Sequence, residues 1–163
     1  MSYQVTRIIE PIIRFVEGCP FLDEFGIDMS KISTNKFISS APPGTSLDYI
    51  GSNVPEDRSD ILGGRFVVRQ ANFQLWLKLK SNHDALRRDI ANFLFNFETW
   101  VEYCQHRQMT PKIGDTPRFE VMWADNGMFF SDWDGAEVAL YMLQLHIIYQ
   151  KEYEPYDEME DDD

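Results

Sequence analysis

Between positions 73 and 105 the spacing of apolar residues changes once, from two to three and four. In Phe73-Gln-Leu-Trp-Leu-Lys-Leu-Lys80 the residues Phe73, Leu75, Leu77 and Leu79 share one face, opposite Gln74, Trp76, Lys78 and Lys80, which predicts a half-buried strand. Beyond it Leu86, Ile90, Phe93, Leu94, Phe97, Trp100, Val101 and Cys104 form one stripe about five turns long, the mark of an amphipathic helix lying on the leucine face. Ser81 or Asn82 would cap that helix with a side-chain oxygen, and Asp84 puts negative charge in the first turn, where the helix dipole favours it. Arg87, Arg88, Glu98, Glu102 and Arg107 fall mostly off the stripe and are expected in solvent, Trp100 is expected against the strand, and Pro111 bars further helix.

The flanking patterns read as cover for this pair. Val5, Ile8, Ile9, Ile12, Ile13 and Val16 recur at helical spacing up to Gly18, so residues 5–17 predict a helix, kinked at Pro11. Residues 31–40 alternate loosely and predict a peripheral strand, closed by Ala41-Pro-Pro-Gly44. Residues 45–64 mix a short apolar run with Ser, Asn, Pro, Asp and Gly-Gly, which suits a long mobile loop or an extended hairpin.

After a proline-rich connector, Phe119, Val121 and Trp123 alternate with Arg118, Glu120 and Met122 as a strand, and Asp125-Asn-Gly127 reads as a hairpin turn. Residues 128–132 give a short strand, Asp134-Gly135 another turn, and residues 137–150 the last member of a three-stranded meander. In that last strand Ala139, Tyr141, Leu143, Leu145, Ile147 and Tyr149 point one way. Val138, Leu140, Met142 and Ile148, broken by Gln144 and His146, point the other, so both faces are partly apolar and the second is expected under the N-terminal helix or another subunit. The fold class that follows is α/β in the broad sense (α+β): a largely antiparallel mixed sheet packed by an N-terminal helix and one long central amphipathic helix.

Composition sets the outer limits. A chain of 163 residues, 44% hydrophobic and 14% aromatic, buries a real core yet is short for two domains, so residues 1–151 are expected to form one. No run approaches a membrane span and no signal-peptide order is present, which predicts a cytosolic protein with no membrane partner. Cys19 and Cys104 lack any Cys-x-x-Cys neighbour and read as buried thiols. The formal charge of −12 is uneven, because residues 152–163 hold eight acids and no Lys or Arg. That stretch is expected to be a disordered acidic tail, and the remaining 19 acids against 15 bases argue against a basic nucleic-acid-binding surface.

Candidate chemistry is sparse. His83 and His106 bracket the central helix and His146 lies in the last strand, so no acid–base partnership is indicated. Asp132-Trp-Asp-Gly135 opens like a calcium loop but lacks the later oxygen ligands and the closing Glu. Gly63-Gly64 belongs to no phosphate-loop pattern, and there is no Gly-x-Ser-x-Gly elbow. An acetyltransferase of the chloramphenicol type would need His-x-x-x-Asp-Gly, which follows none of the three histidines, and an acidic DNA mimic would need its acids on a folded face. No catalytic residue, metal or cofactor is expected. Instead, Asp48, Tyr49, Glu56, Asp57, Arg58 and Arg65 in and beside the 45–64 segment, with Trp76, Gln144 and His146 on the strand faces turned from the leucines, are the expected subunit or partner interface.

The order of these features resembles the minor capsid and tail-terminator family of long-tailed bacteriophages. The resemblance rests on the N-terminal helix, Gly63-Gly64 followed by Arg69-Gln70, the 73–80 strand, and the aromatic helix ending Phe97-Glu-Thr-Trp100. It continues through the Pro111 connector and residues 119–123 to the closing 141–149 strand. It implies a non-enzymatic virion protein that assembles in the host cytoplasm as a ring of its own copies, a hexamer by family habit. The ring would cap the tail-tube protein, meet a neck or head-completion protein, and let genomic DNA pass through its lumen. A head-closure connector is the alternative within the same biology. The long 45–64 segment and the acidic tail depart from the family pattern.

Overall fold

The computed structural model describes residues 5–29, 32–34, 44–114, 120–133 and 137–155. Its sheet is built on the two strands with the strongest alternation, β3 (Arg65–Lys80) and β5 (Val138–Tyr153), which run antiparallel in full register. Register sets like against like: Phe73 faces Leu145, Leu75 faces Leu143, Leu77 faces Tyr141 and Ala71 faces Ile147, all of them buried. β2 (Gly44–Ser59) pairs antiparallel with β3, β4 (Val121–Trp133) pairs antiparallel with β5, and the short β1 (Ile32–Ser33) lies parallel to the start of β2. The order is β1-β2-β3-β5-β4, a largely antiparallel mixed sheet with two helices, as the pattern predicts.

Both helices lie on the Phe73–Leu79 face. α2 (Asp84–His106) buries Ile90, Phe93, Leu94, Phe97, Val101 and Cys104 there, and α1 (Ile9–Glu17) adds Ile12 and Val16 to the same core. A tight 3-10 turn, Asp23–Phe25, brings Phe21 and Phe25 edge-on to Phe93. Of the two covers expected for the second face of β5, the N-terminal helix or another subunit, α1 is therefore not the one, and no other described helix lies there. Trp100 is only partly buried, and it stacks on Phe15 of α1 instead of facing the strand. Among the described residues no helix is long and apolar enough to cross a membrane.

Several boundaries move for local reasons. α1 begins at Ile9, which puts Pro11 in the first turn, where backbone N–H groups have no helical partner, so no kink arises. α2 takes His83 as its N-cap without a side-chain bond, not Ser81 or Asn82. The Ser81 N–H instead donates to the Glu137 carbonyl, and its carbonyl accepts from Arg87 Nε at 2.9 Å. Of the two readings of 45–64, the structure takes the extended hairpin over the mobile loop: β2 runs to Ser59, turns tightly and pairs back on β3 as far as Ser59 against Arg65. The Asn-Gly hairpin is absent, because Asn126, at φ 55°, is the left-handed residue of a bulge inside one continuous β4. The three-stranded meander is thus two antiparallel strands, β4 and β5, and the predicted Asp134-Gly135 turn lies outside the described residues. Of the predicted 31–40 strand only Ile32 and Ser33 are described as strand; residues 31 and 35–40 lie outside. Order also persists past the expected start of the tail, since β5 continues through Glu152 and Tyr153, paired with Phe66 and Arg65; residues 156–163 lie outside.

A polar clamp fixes the return from α2 to β4. Glu120, 2% exposed, accepts the N–H groups of Ile113 and Gly114. The Gln105 amide donates to the Glu120 carbonyl at 3.0 Å and accepts from the Met122 N–H at 2.9 Å. No buried side-chain nitrogen or oxygen of this clamp lacks a partner, which is the condition for burying it.

Candidate functional site

Strand alternation sorts the nine expected interface residues into two surfaces. Asp48, Trp76, Gln144 and His146 lie on the sheet face turned away from the helices. Glu56, Asp57, Arg58 and Arg65 lie on an arm formed where β2 and β3 run past the helices, and the far end of β5 pairs along it. Tyr49 is the exception: it turns to the helix side at the base of the arm, edge-on to Phe73 at 5.7 Å, and stays half exposed.

At the centre of the open face stands His146, its side chain 12% exposed. Nδ1 lies 2.6 Å from Asn72 Oδ1 and Nε2 lies 3.0 Å from Asp125 Oδ1, while the ring stacks on Trp123 at 4.9 Å. Gln70 Nε2 donates to the same Asn72 oxygen at 2.8 Å, and Asn126 Nδ2 donates to Gln144 Oε1 at 3.1 Å. Two oxygens at the two ring nitrogens, under an aromatic lid, hold the imidazole in one orientation. Asp48 belongs to the same face and accepts from the Ser46 hydroxyl at 3.2 Å. Toward the α2 end the face becomes apolar. Trp76 is 3% exposed, covered by Phe130 edge-on at 4.9 Å and flanked by Met142 on the neighbouring strand. The sheet itself thus buries the indole, so Trp76 is not the exposed interface residue it had been expected to be, and its cover is Phe130 of β4 instead of the N-terminal helix.

The arm is charged along its flanks and apolar at its tip. Arg65 grips Asp57 with two bonds, Nε to Oδ1 at 2.9 Å and Nη2 to Oδ2 at 2.5 Å, and Arg58 pairs with Glu56 at 2.9 Å. The guanidinium of Arg65 holds the Asp57 carboxyl below the usual carboxylate range. At the tip the Asp60 carboxylate accepts the N–H groups of Leu62 and Gly64, both at 2.8 Å, and Gly63 supplies φ 90°, where a side chain would be strained. Ile61 is 101% and Leu62 76% exposed.

A third feature escaped the sequence pattern. Between the first half of α2 and the β4–β5 hairpin runs a groove of about 580 Å³. Ala91, Leu94, Phe95, Met128 and Phe129 form its apolar walls, and Arg87, Glu98 and Asp132 its polar margin. Tyr141 closes the floor, bonded to Ser81, with burial pushing its phenol up. The signal available was Phe95, an aromatic off the α2 stripe and 66% exposed. Glu98, expected in solvent, instead accepts the Gly127 N–H at 2.8 Å and so ties the β4 bulge to α2.

No group of three His, Cys, Asp or Glu among the described residues could hold a metal ion. His83 and His106 sit at opposite ends of α2, about 34 Å apart by helical rise. No protein-family model matches the chain, and no curated protein matches it either.

Proposed function

We propose that this chain is a structural virion subunit, the terminator of a long bacteriophage tail, which joins head to tail with its own copies in a closed ring. The ring ends growth of the tail-tube protein, receives the neck or head-completion protein on its other side and lets DNA through its lumen. The chain would act in the host cytoplasm during assembly and at the tail–neck junction afterwards. One observation carries the reading: the described helices all lie on one face of the sheet, and an arm with a bare apolar tip extends from one end while an apolar groove opens at the other. Those surfaces differ from one another, and unlike surfaces on each subunit are what a heterologous ring requires, since a two-fold dimer would use one surface twice.

The resemblance in motif order, from the N-terminal helix to Tyr149, supports the same reading. So does the charge of −12, because an acidic passage repels phosphate and lets a genome slide without sticking. The test is a phage lacking this gene, viewed by electron microscopy. Overlong tails without joined heads are expected. Normal tails beside unclosed heads would reassign the chain to head closure, and intact infectious particles would overturn the virion role.

A further inference from the structure

Resting on the ring reading above, we propose that the arm tip Ile61–Leu62 of one copy seats in the groove between α2 and β4 of the next, so that the subunits are linked tip to groove. The tip is built to be offered. Two large apolar side chains stand in water on a turn already fixed by Asp60 and Gly63, so little conformational freedom remains to be lost when they bind. The groove is built to receive apolar groups. Its walls include Phe95 and Phe129, 66% and 53% exposed, and its size of about 580 Å³ suits a compact side-chain cluster.

Tip and groove of a single chain cannot meet. The tip precedes Arg65, which pairs with Tyr153, whereas the groove floor is Tyr141, which pairs with Leu77. Twelve strand residues at about 3.3 Å each put them roughly 40 Å apart. The occupant is therefore a second copy, approached head to tail.

Charge selects the same pairing. Copies carrying −12 repel one another, but residues 51–70 hold three acids and three bases, and four of these six are locked in the Glu56–Arg58 and Asp57–Arg65 pairs. The arm is thus a part of this acidic chain that can approach a neighbour without net repulsion. The acidic stretch after Glu152 is a poor rival for the groove, because Glu98 and Asp132 stand at its margin. Two side chains bury far less than the roughly 800 Å² per partner of a stable pair. A single contact is accordingly weak, and a closed ring, in which every subunit both gives a tip and receives one, holds it.

The test uses full-length Leu62→Cys and Phe95→Cys variants; both sites are exposed, and the native Cys19 and Cys104 are buried. Under mild oxidation at high protein concentration, the two variants mixed should give a disulfide-linked dimer that neither gives alone, and the double variant should give a ladder beyond the dimer. Ile61→Asp with Leu62→Asp, which leaves the core untouched, should abolish rings seen by electron microscopy for the native chain on tail tubes. Rings that persist in the Asp variant, or a mixture that cross-links no better than the single variants, would overturn the tip contact while leaving the ring reading intact. Cross-linked dimers without rings would keep the contact and remove the ring, and neither rings nor cross-links would remove both.

Discussion

The indole of Trp100 on α2 lies flat against the ring of Phe15 on α1, with centroids 4.7 Å apart and planes 15° from parallel. Phe97 and Phe21 close on the same indole at 5.5 Å and 6.4 Å. This aromatic cluster is the joint by which the N-terminal helix is held to the central one.

Trp100→Ala should therefore cost about 2–3 kcal/mol, below the ~3–5 kcal/mol typical of a fully buried aromatic, because the indole is only partly buried. Urea denaturation of the single variants and of Trp100→Ala with Phe15→Ala should show a coupling of about 0.5–1.5 kcal/mol beyond simple burial. Additive losses would mean that the stack contributes nothing of its own.

Gly127 is required by close approach and not by its backbone angle. A Cβ there would stand 3.0 Å from Glu98 Oε1 and 3.1 Å from Leu94 Cβ. Gly127→Ala should cost about 1–3 kcal/mol through overpacking. Asn126→Gly, which relieves a left-handed residue at φ 55°, should leave stability within about 0.5 kcal/mol or raise it. A neutral Gly127→Ala would show that α2 can shift away from the bulge freely.

The same bulge marks where sequence reasoning succeeds and where it stops. Asn126-Gly127 was legible as a place of positive φ, but a turn and a bulge use that chemistry alike. The choice between them was made by contacts distant in sequence, the β5 partner strand and Glu98. β3, β5 and the α2 stripe were legible because each buries one continuous face and so carries a clean period. The 45–64 segment left loop and extended hairpin open, since residues 52–59 of β2 are exposed on both faces and bear no hydrophobic alternation. Nor could the His146 cluster be read in advance, because Asn72, His146 and Asp125 come from three strands that only the register brings side by side.

In that cluster, polar contact and stacking can be separated. His146→Phe keeps a ring against Trp123 but removes the polar contacts of the ring nitrogens, and should cost about 1 kcal/mol, the net worth of an exchangeable hydrogen bond beside a half-exposed Asp125. His146→Ala also loses the stack and should cost about 1 kcal/mol more by urea denaturation. Equal losses in the two variants would assign the whole effect to the polar contacts.

Alkaline pH should weaken the fold through its buried thiols and phenol. Burial pushes the Cys19 thiol up to about 11 from its ordinary 9.0, against a smaller opposing contribution from the Phe21 backbone, and burial raises Cys104 and Tyr141 in the same direction. Below pH 9 both the folded and the unfolded chain keep the Cys19 proton, so its stabilising share is complete. Between 9 and 11 the unfolded chain loses that proton first, and stability falls as pH rises, by at most about 2–3 kcal/mol for this one group. Melting temperatures of the native chain and Cys19→Ala at pH 7.5, 9 and 10.5 check this, with a shallower alkaline decline expected for the variant. Cys19 should also resist Ellman's reagent at pH 8 until urea unfolds the chain, as a buried, protonated thiol must. Parallel declines in the two proteins, or rapid labelling of the folded chain, would show that Cys19 is open to solvent.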